Sequence, residues 1–197
     1  MKPNIALVIG DPAGVGPELV VKLLADESAG QANVYVIGSR AVLAGAMRET
    51  GVHRDLPIVA LSDIGNRDLP GPVLVDWPGL NADGFERGQA KADNGKFMLD
   101  MLTLGARLTQ QGATDALCFA PLNKGALRAG GMQQQDELRW FEDLLGCHGY
   151  TGELNVLDTL WTSRVTSHVA LRDVSGLLTA EGVADAAKLI TDSLLAA

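Results

Sequence analysis

The sequence predicts an α/β fold built on a largely parallel sheet. Three observations predict it. Apolar runs of strand length, 5–9 (IALVI), 33–38 (NVYVIG) and 115–120 (DALCFA), lack polar alternation and so read as strands covered on both faces. Segments with helical apolar spacing stand between the strands. The first and last of these strands run straight into proline-punctuated bends, GDPAGVGPE (10–18) and APLNK (120–124).

The opening unit is strand, shaped turn, helix. Glycine tolerates positive φ and close backbone approach, and proline fixes φ and removes a donor, so residues 10–18 cannot prolong a strand. Pro17 and Glu18 suit a first helical turn, with 19–24 supplying apolar residues. Such a turn aims backbone N–H groups and a positive helix end at the carboxyl edge of the sheet, where anionic ligands bind. Asp11 stands at its mouth, able to bind a metal or accept a proton. The spacing is neither G-x-G-x-x-G nor a phosphate-loop motif, so a tight connection with no ligand is an equal reading of the residues alone.

Next comes the strand 33–38. Ser39 is a candidate cap for a helix to Thr50, ended by Gly51. Residues 56–61 form a third apolar run, 63–72 are turn-rich, and 73–75 are short and extended. The chain breaks at Trp77-Pro78-Gly79, and 81–84 lead into a long helix expected over 87–110. After the strand 115–120 come a short helix at 125–129 and a second at 136–145. Extended pieces at 153–157 and 164–169 suggest an antiparallel pair. A last helix is expected over 180–195, capped by Thr179, its stripe being Val183, Ala187, Ile190 and Leu194. The 197 residues read as one α/β unit with approximate subdomains 1–125 and 126–197.

Composition excludes several classes. Hydrophobic residues are 47% and charged residues 20%, which fits a packed core. A net charge of −8 and 5% aromatic residues argue against nucleic acid or an anionic membrane as partner. No apolar run reads as a signal peptide or a membrane span. Cys118 lies in an apolar run and reads as a buried, inert thiol, and two cysteines make no disulfide scaffold, so a reducing cytoplasm is expected. His53 and His148 read as surface residues.

Resemblance sharpens this. GDPAGVGPE resembles the amino-terminal signature of the 4-hydroxythreonine-4-phosphate dehydrogenase family of vitamin B6 biosynthesis. Its paralogues act on threonate or erythronate phosphates and on cyclohexadiene-diol carboxylates. TSHVALRD resembles the family segment T-[TS]-H-x-x-L-R-D, whose histidine is one of three that hold a divalent metal. This implies that His168 is a metal ligand, for zinc, magnesium or a similar ion, although a lone histidine is by itself more often an ordinary residue. APLNKGAL resembles A-P-[LV]-[NH]-K. Lys124 there could bind an anionic group or assist proton movement, or be a solvated lysine; Asn123 could bind the same ligand or cap the helix.

The resemblance implies a three-layer α/β/α fold like that of isocitrate and isopropylmalate dehydrogenases, with the second half incomplete. It implies a metal-dependent, NAD- or NADP-linked dehydrogenase acting on a small anionic hydroxy acid. In that scheme the metal polarises the alcohol as hydride leaves for the nicotinamide, then stabilises the enolate as carbon dioxide departs. Asp11 and Lys124 are the candidates for proton transfer or substrate positioning; no residue is assigned to the nicotinamide. Members are homodimers. Two departures stand against this. Where the phosphate-substrate members have G-H-T-E, this chain has Gln135 and Asp136 before a surviving Glu137, and an acid beside a phosphate is repulsive. The resemblance also spans only somewhat more than the first half of the family's length, and no histidine follows His168. The competing reading is a catalytically incomplete α/β binding or assembly module, or a truncated paralogue acting on another hydroxy acid.

Overall fold

The computed structural model describes residues 2–65, 69–77 and 85–197. Two compact units divide it, 1–134 and 135–197.

The first unit holds β1 (Asn4–Val8), α1 (Gly16–Ala25), β2 (Asn33–Gly38), α2 (Arg40–Thr50), β3 (Val73–Asp76), α3 (Ala92–Gln110), β4 (Ala116–Phe119) and α4 (Lys124–Ala129). The four strands form one parallel sheet in the order β3-β2-β1-β4. Ala6 lies opposite Tyr35 on one side and Leu117 on the other. Going β1-α1-β2-α2-β3 the chain moves one way across the sheet, and β3-α3-β4 carries it back. Right-handed crossovers therefore put α1 and α2 on one face and α3 on the other. The contacts agree: α1 packs on α2, while α3 lies along β1, β2 and β4. This is the expected three-layer parallel fold.

Continuous apolar strands are the cause. Ala6, Val8, Ile9, Tyr35, Val36 and Ile37 are fully buried, closed over by Val20, Val21 and Leu24 from below and Phe97, Met98, Met101 and Leu102 from above. At the amino edge the buried Asn33 amide donates to Asn4 Oδ1 at 2.9 Å, and the Asn4 N–H donates to Asp115 Oδ2 at 2.7 Å. That polar clasp fixes the register of β2, β1 and the approach to β4, because a one-residue slip would leave these groups buried and unpaired.

Several local expectations change. The run 56–61 gives only an isolated bridge, Ile58 to Leu74, followed by a 3₁₀ turn at Leu61–Asp63. Ser39 occupies the cap position of α2 without a side-chain bond; Asp76 Oδ1 accepts the Arg40 N–H at 2.8 Å instead. The long helix starts at Ala92, because Arg87 and Gly88 are spent on holding the first bend. Cys118 is exposed, since β4 pairs with β1 alone and stands at the edge of the four-stranded sheet. Partial burial of its sulfur still pushes the thiol above its ordinary value. The break at Pro78-Gly79 and the lead-in at 81–84 lie outside the described residues.

The second unit holds α5 (Glu137–Leu145), the antiparallel hairpin β5 (Leu154–Val156) and β6 (Trp161–Ser163), α6 (Leu171–Leu177) and α7 (Ala180–Ala196). The hairpin closes earlier than expected, through a turn at Leu157 and Leu160, so 164–169 is not its second strand. The helix α6 was not anticipated. Thr179 caps α7 as expected, its Oγ1 accepting the Gly182 N–H at 3.0 Å. The covered face of α7 is rotated, however: Ala186 is buried while Val183 and Leu194 are exposed.

Candidate functional site

Two bends of the first unit meet at the carboxyl edge of its sheet. They do so because β1 and β4 are neighbours and both end there. The Asp11 N–H donates to the Pro121 carbonyl at 3.0 Å, tying one bend to the other. Gly10 has φ +76°, and a Cβ on it would lie 2.5 Å from that same carbonyl oxygen. Gly16 approaches as closely, since a Cβ there would sit 2.3 Å from the Ile9 carbonyl oxygen. Only glycine lets β1, the bend and the start of α1 stack this tightly.

Asp11 is buried, and its carboxylate works locally: Oδ1 accepts the Ala13 N–H at 3.0 Å while its carbonyl accepts the Gly14 N–H. Lys124 is exposed at the first position of α4. Asn123 caps that helix, its Oδ1 accepting the Ala126 N–H at 3.1 Å. Asp11 and Lys124 thus come from two bends that touch.

A third strap closes over the first bend. Arg87 Nη1 donates to the Gly14 carbonyl at 3.0 Å, and the Gly88 N–H donates to the Ala13 carbonyl at 2.9 Å. The guanidinium also pairs with Glu18 and, at 3.1 Å, with Glu49. Burial raises the Glu18 carboxyl, but its bond to Arg87, a backbone hydrogen bond and the Arg87 charge together outweigh this and hold it below the ordinary carboxylate range. The other Glu18 oxygen, Oε2, is buried with no hydrogen-bond partner among the described residues. Nothing in the sequence marked Arg87, because its partners lie 69 and 73 positions away.

His168 belongs to the second unit, in the irregular run before α6 rather than at a strand end. It has φ 57°, the one non-glycine residue in the left-handed region among the described residues. A histidine held there costs on the order of 1 kcal/mol, and such strain clusters at working sites. Its cavity, about 130 Å³, is lined also by Asp136, Arg139, Glu153 and Arg164. Arg172 pairs with Asp173 at 3.6 Å in the first turn of α6, both exposed, as a local ion pair. His53 and His148 are exposed. A larger cavity of about 420 Å³ between α2 and β3, lined by Arg40 and Arg54 over Leu43, Met47 and Leu74, contains none of the candidate residues.

A divalent metal needs about three protein ligands. No group of three His, Cys, Asp or Glu side chains able to hold one occurs among the described residues. The described residues around His168 therefore do not make a complete metal site.

Fold and site together define an α/β protein with two interlocked bends at the carboxyl edge of a parallel sheet. The family model of the pyridoxal phosphate biosynthetic protein PdxA matches residues 30–197. A provisionally named 4-hydroxythreonine-4-phosphate dehydrogenase 2 of Pseudomonas aeruginosa is 45% identical over 98% of this chain and 57% of its own length. A provisionally named D-threonate 4-phosphate dehydrogenase of Bradyrhizobium diazoefficiens is 33% identical over 97% of this chain and 55% of its own. The crystal structure of a 4-hydroxythreonine-4-phosphate dehydrogenase from Burkholderia phymatum superposes with a TM-score of 0.85 at 29% identity, covering 99% of this chain and 59% of that one. The chain belongs to the PdxA family, and it spans little more than half the length of these relatives.

Proposed function

We propose that this chain forms the first portion of an NAD- or NADP-linked, metal-dependent dehydrogenase that oxidises and decarboxylates a small anionic hydroxy acid of the 4-hydroxythreonine or threonate type. The observation that carries the reading is the locked pair of bends, Gly10–Gly16 against Pro121–Lys124, at the carboxyl edge of the sheet. Membership of a family whose relatives are named dehydrogenases supplies the reaction class.

In this reading Lys124 meets an anionic group of the substrate or moves a proton, since an ammonium at a sheet edge suits either task. Asp11 shapes its bend through Oδ1, and its second carboxylate oxygen is the candidate for proton transfer or substrate positioning. His168 would give one ligand to a divalent ion whose remaining ligands come from outside this chain's described residues. A homodimer and a cytoplasmic location follow from the family reading. No helix among the described residues is long and apolar enough to cross a membrane.

The test is reduction of NAD and NADP by the full-length protein with 4-hydroxythreonine 4-phosphate, D-threonate, its 4-phosphate and dihydrodiol carboxylates, with and without divalent metal. Metal-dependent turnover of one of them is expected, and His168→Ala should lower it by at least about 100-fold. Absence of turnover with all of them overturns the dehydrogenase reading. Unchanged activity of His168→Ala removes that residue from the site.

A further inference from the structure

The first bend is gripped from two sides. The Ala13 N–H donates to Asp11 Oδ1 at 3.0 Å, while the Ala13 carbonyl accepts the Gly88 N–H at 2.9 Å. The Gly14 N–H donates to the Asp11 carbonyl at 3.0 Å, while the Gly14 carbonyl accepts from Arg87 Nη1 at 3.0 Å. All four backbone polar groups of these two residues are therefore used, two by Asp11 and two by the strap. Asp11 is itself pinned to the second bend, through the Pro121 carbonyl. With Oδ1 spent on the bend, Oδ2 is the carboxylate oxygen left for substrate. It lies beside Gly14, where a Cβ would sit 3.6 Å from it. The bearing of that oxygen thus depends on where residues 13 and 14 are held.

Arg87 is anchored on its other side by Glu18 in the first turn of α1 and, at 3.1 Å, by Glu49 near the end of α2. Two carboxylates face one guanidinium, so no positive charge remains there to draw an anionic substrate. What the planar fork supplies is direction: Nη1 meets the Gly14 carbonyl while Nη2 serves the acids.

Resting on the dehydrogenase reading above, we propose that Arg87 is a positioning residue for the reaction: with Gly88 it fixes the peptide groups of Ala13 and Gly14 and, through them, the carboxylate of Asp11. It touches no substrate and acts only through that acid. A reacting group displaced by about 1 Å can lose on the order of 100-fold in rate, so a strap of modest stability can still govern turnover.

The experiment pairs a local readout with kinetics. In the full chain, amide hydrogen exchange at Ala13 and Gly14 should quicken at least about tenfold in Arg87→Ala, beyond any change at Leu7 and Val8 of β1. In the full-length protein, turnover of the hydroxy acid with NAD or NADP should show kcat about 10- to 100-fold lower for Arg87→Ala, with KM within about threefold. Asp11→Asn keeps an oxygen for the Ala13 N–H and removes the charge. The double variant should turn over within about threefold of Asp11→Asn alone, because the second change removes only what the first has already lost. Multiplied losses in the double variant, wild-type kcat in either single variant, or a fall in kcat with unmoved exchange at Ala13 and Gly14 each overturn the proposal and leave the dehydrogenase reading standing. If the wild type turns over none of the hydroxy acids, the dehydrogenase reading falls and this proposal falls with it.

Discussion

At the scale of single residues, the first bend is held by contacts that tolerate little change. Gly10→Ala places a Cβ against the Pro121 and Ala120 carbonyls at a positive φ. A destabilisation of about 2–4 kcal/mol is expected, read as a lower denaturant midpoint with an unchanged m-value. Arg87 is nearly half exposed, so its ion pairs are screened; Arg87→Ala should cost only about 1 kcal/mol. Its clearer signature is in pH. The Glu18 carboxyl is lowered in the folded state, so the stability it contributes is present above its unfolded value of about 4.3 and is lost as pH falls through the lower folded value. Denaturation curves between about pH 3 and 6 should show a shallower acid-side loss for Arg87→Ala than for the wild type. An equal slope in both would remove Arg87 as the cause. Asp11, Lys124 and the bends they occupy were legible in the sequence, because proline and glycine punctuation is a local signal. Arg87 was not, since its role is made by contacts across dozens of residues. The left-handed backbone of His168 was equally hidden, because no glycine or asparagine announces it.

At the scale of elements, caps and edges decide. Asn123→Ala removes the bond to the Ala126 N–H and should cost about 1 kcal/mol, while Asn123→Asp should be nearly neutral. Asp76→Ala is expected to cost a similar amount by freeing the Arg40 N–H at the start of α2, whereas Ser39→Ala should cost little. Thermal melts of the four variants compare these directly. The sequence pointed to Ser39 because serine is a usual cap residue; the structure uses an acid from the neighbouring strand end, which no local pattern contains. Strands were easy to read, since β1, β2 and β4 are continuous apolar runs, although only β1 and β2 are buried along their length. The hairpin was misplaced by a few residues because Val165 and Val169 extend the apolar alternation past β6 without a partner strand. The covered face of α7 was misjudged for a related reason. Helical spacing finds every apolar stripe, but packing selects the one near Ala186, and Leu189 Cδ2 would lie 3.1 Å from a Cβ at Gly152.

At the scale of the whole molecule, burial is divided very unevenly. Of the buried apolar side chains among the described residues, only Ala186 lies beyond Gln134. The second unit instead exposes Val156, Leu157, Leu160, Leu171, Leu177, Leu178 and Leu195. Hydrogen exchange should report this split. Amides of β1, β2 and α3 are expected to exchange only with global unfolding, and those of β5, β6 and α7 on the order of 100-fold faster. Uniform protection across both units would contradict the assignment of stability to the first. The layered parallel fold was legible because one unit carries nearly all of it. The looseness of the other was not, since its apolar content looks ordinary until the coordinates show where those side chains face.

That unevenness bears on the stability of the second unit. Ordering a residue costs about 1–2 kcal/mol, and a single alanine in the interior cannot offset it across the stretch that carries His168 and Asp136. The second unit therefore leaves those seven aliphatic side chains open to solvent. Covering that aliphatic surface would add roughly 25 cal/mol of stability per Å² of apolar area removed from water.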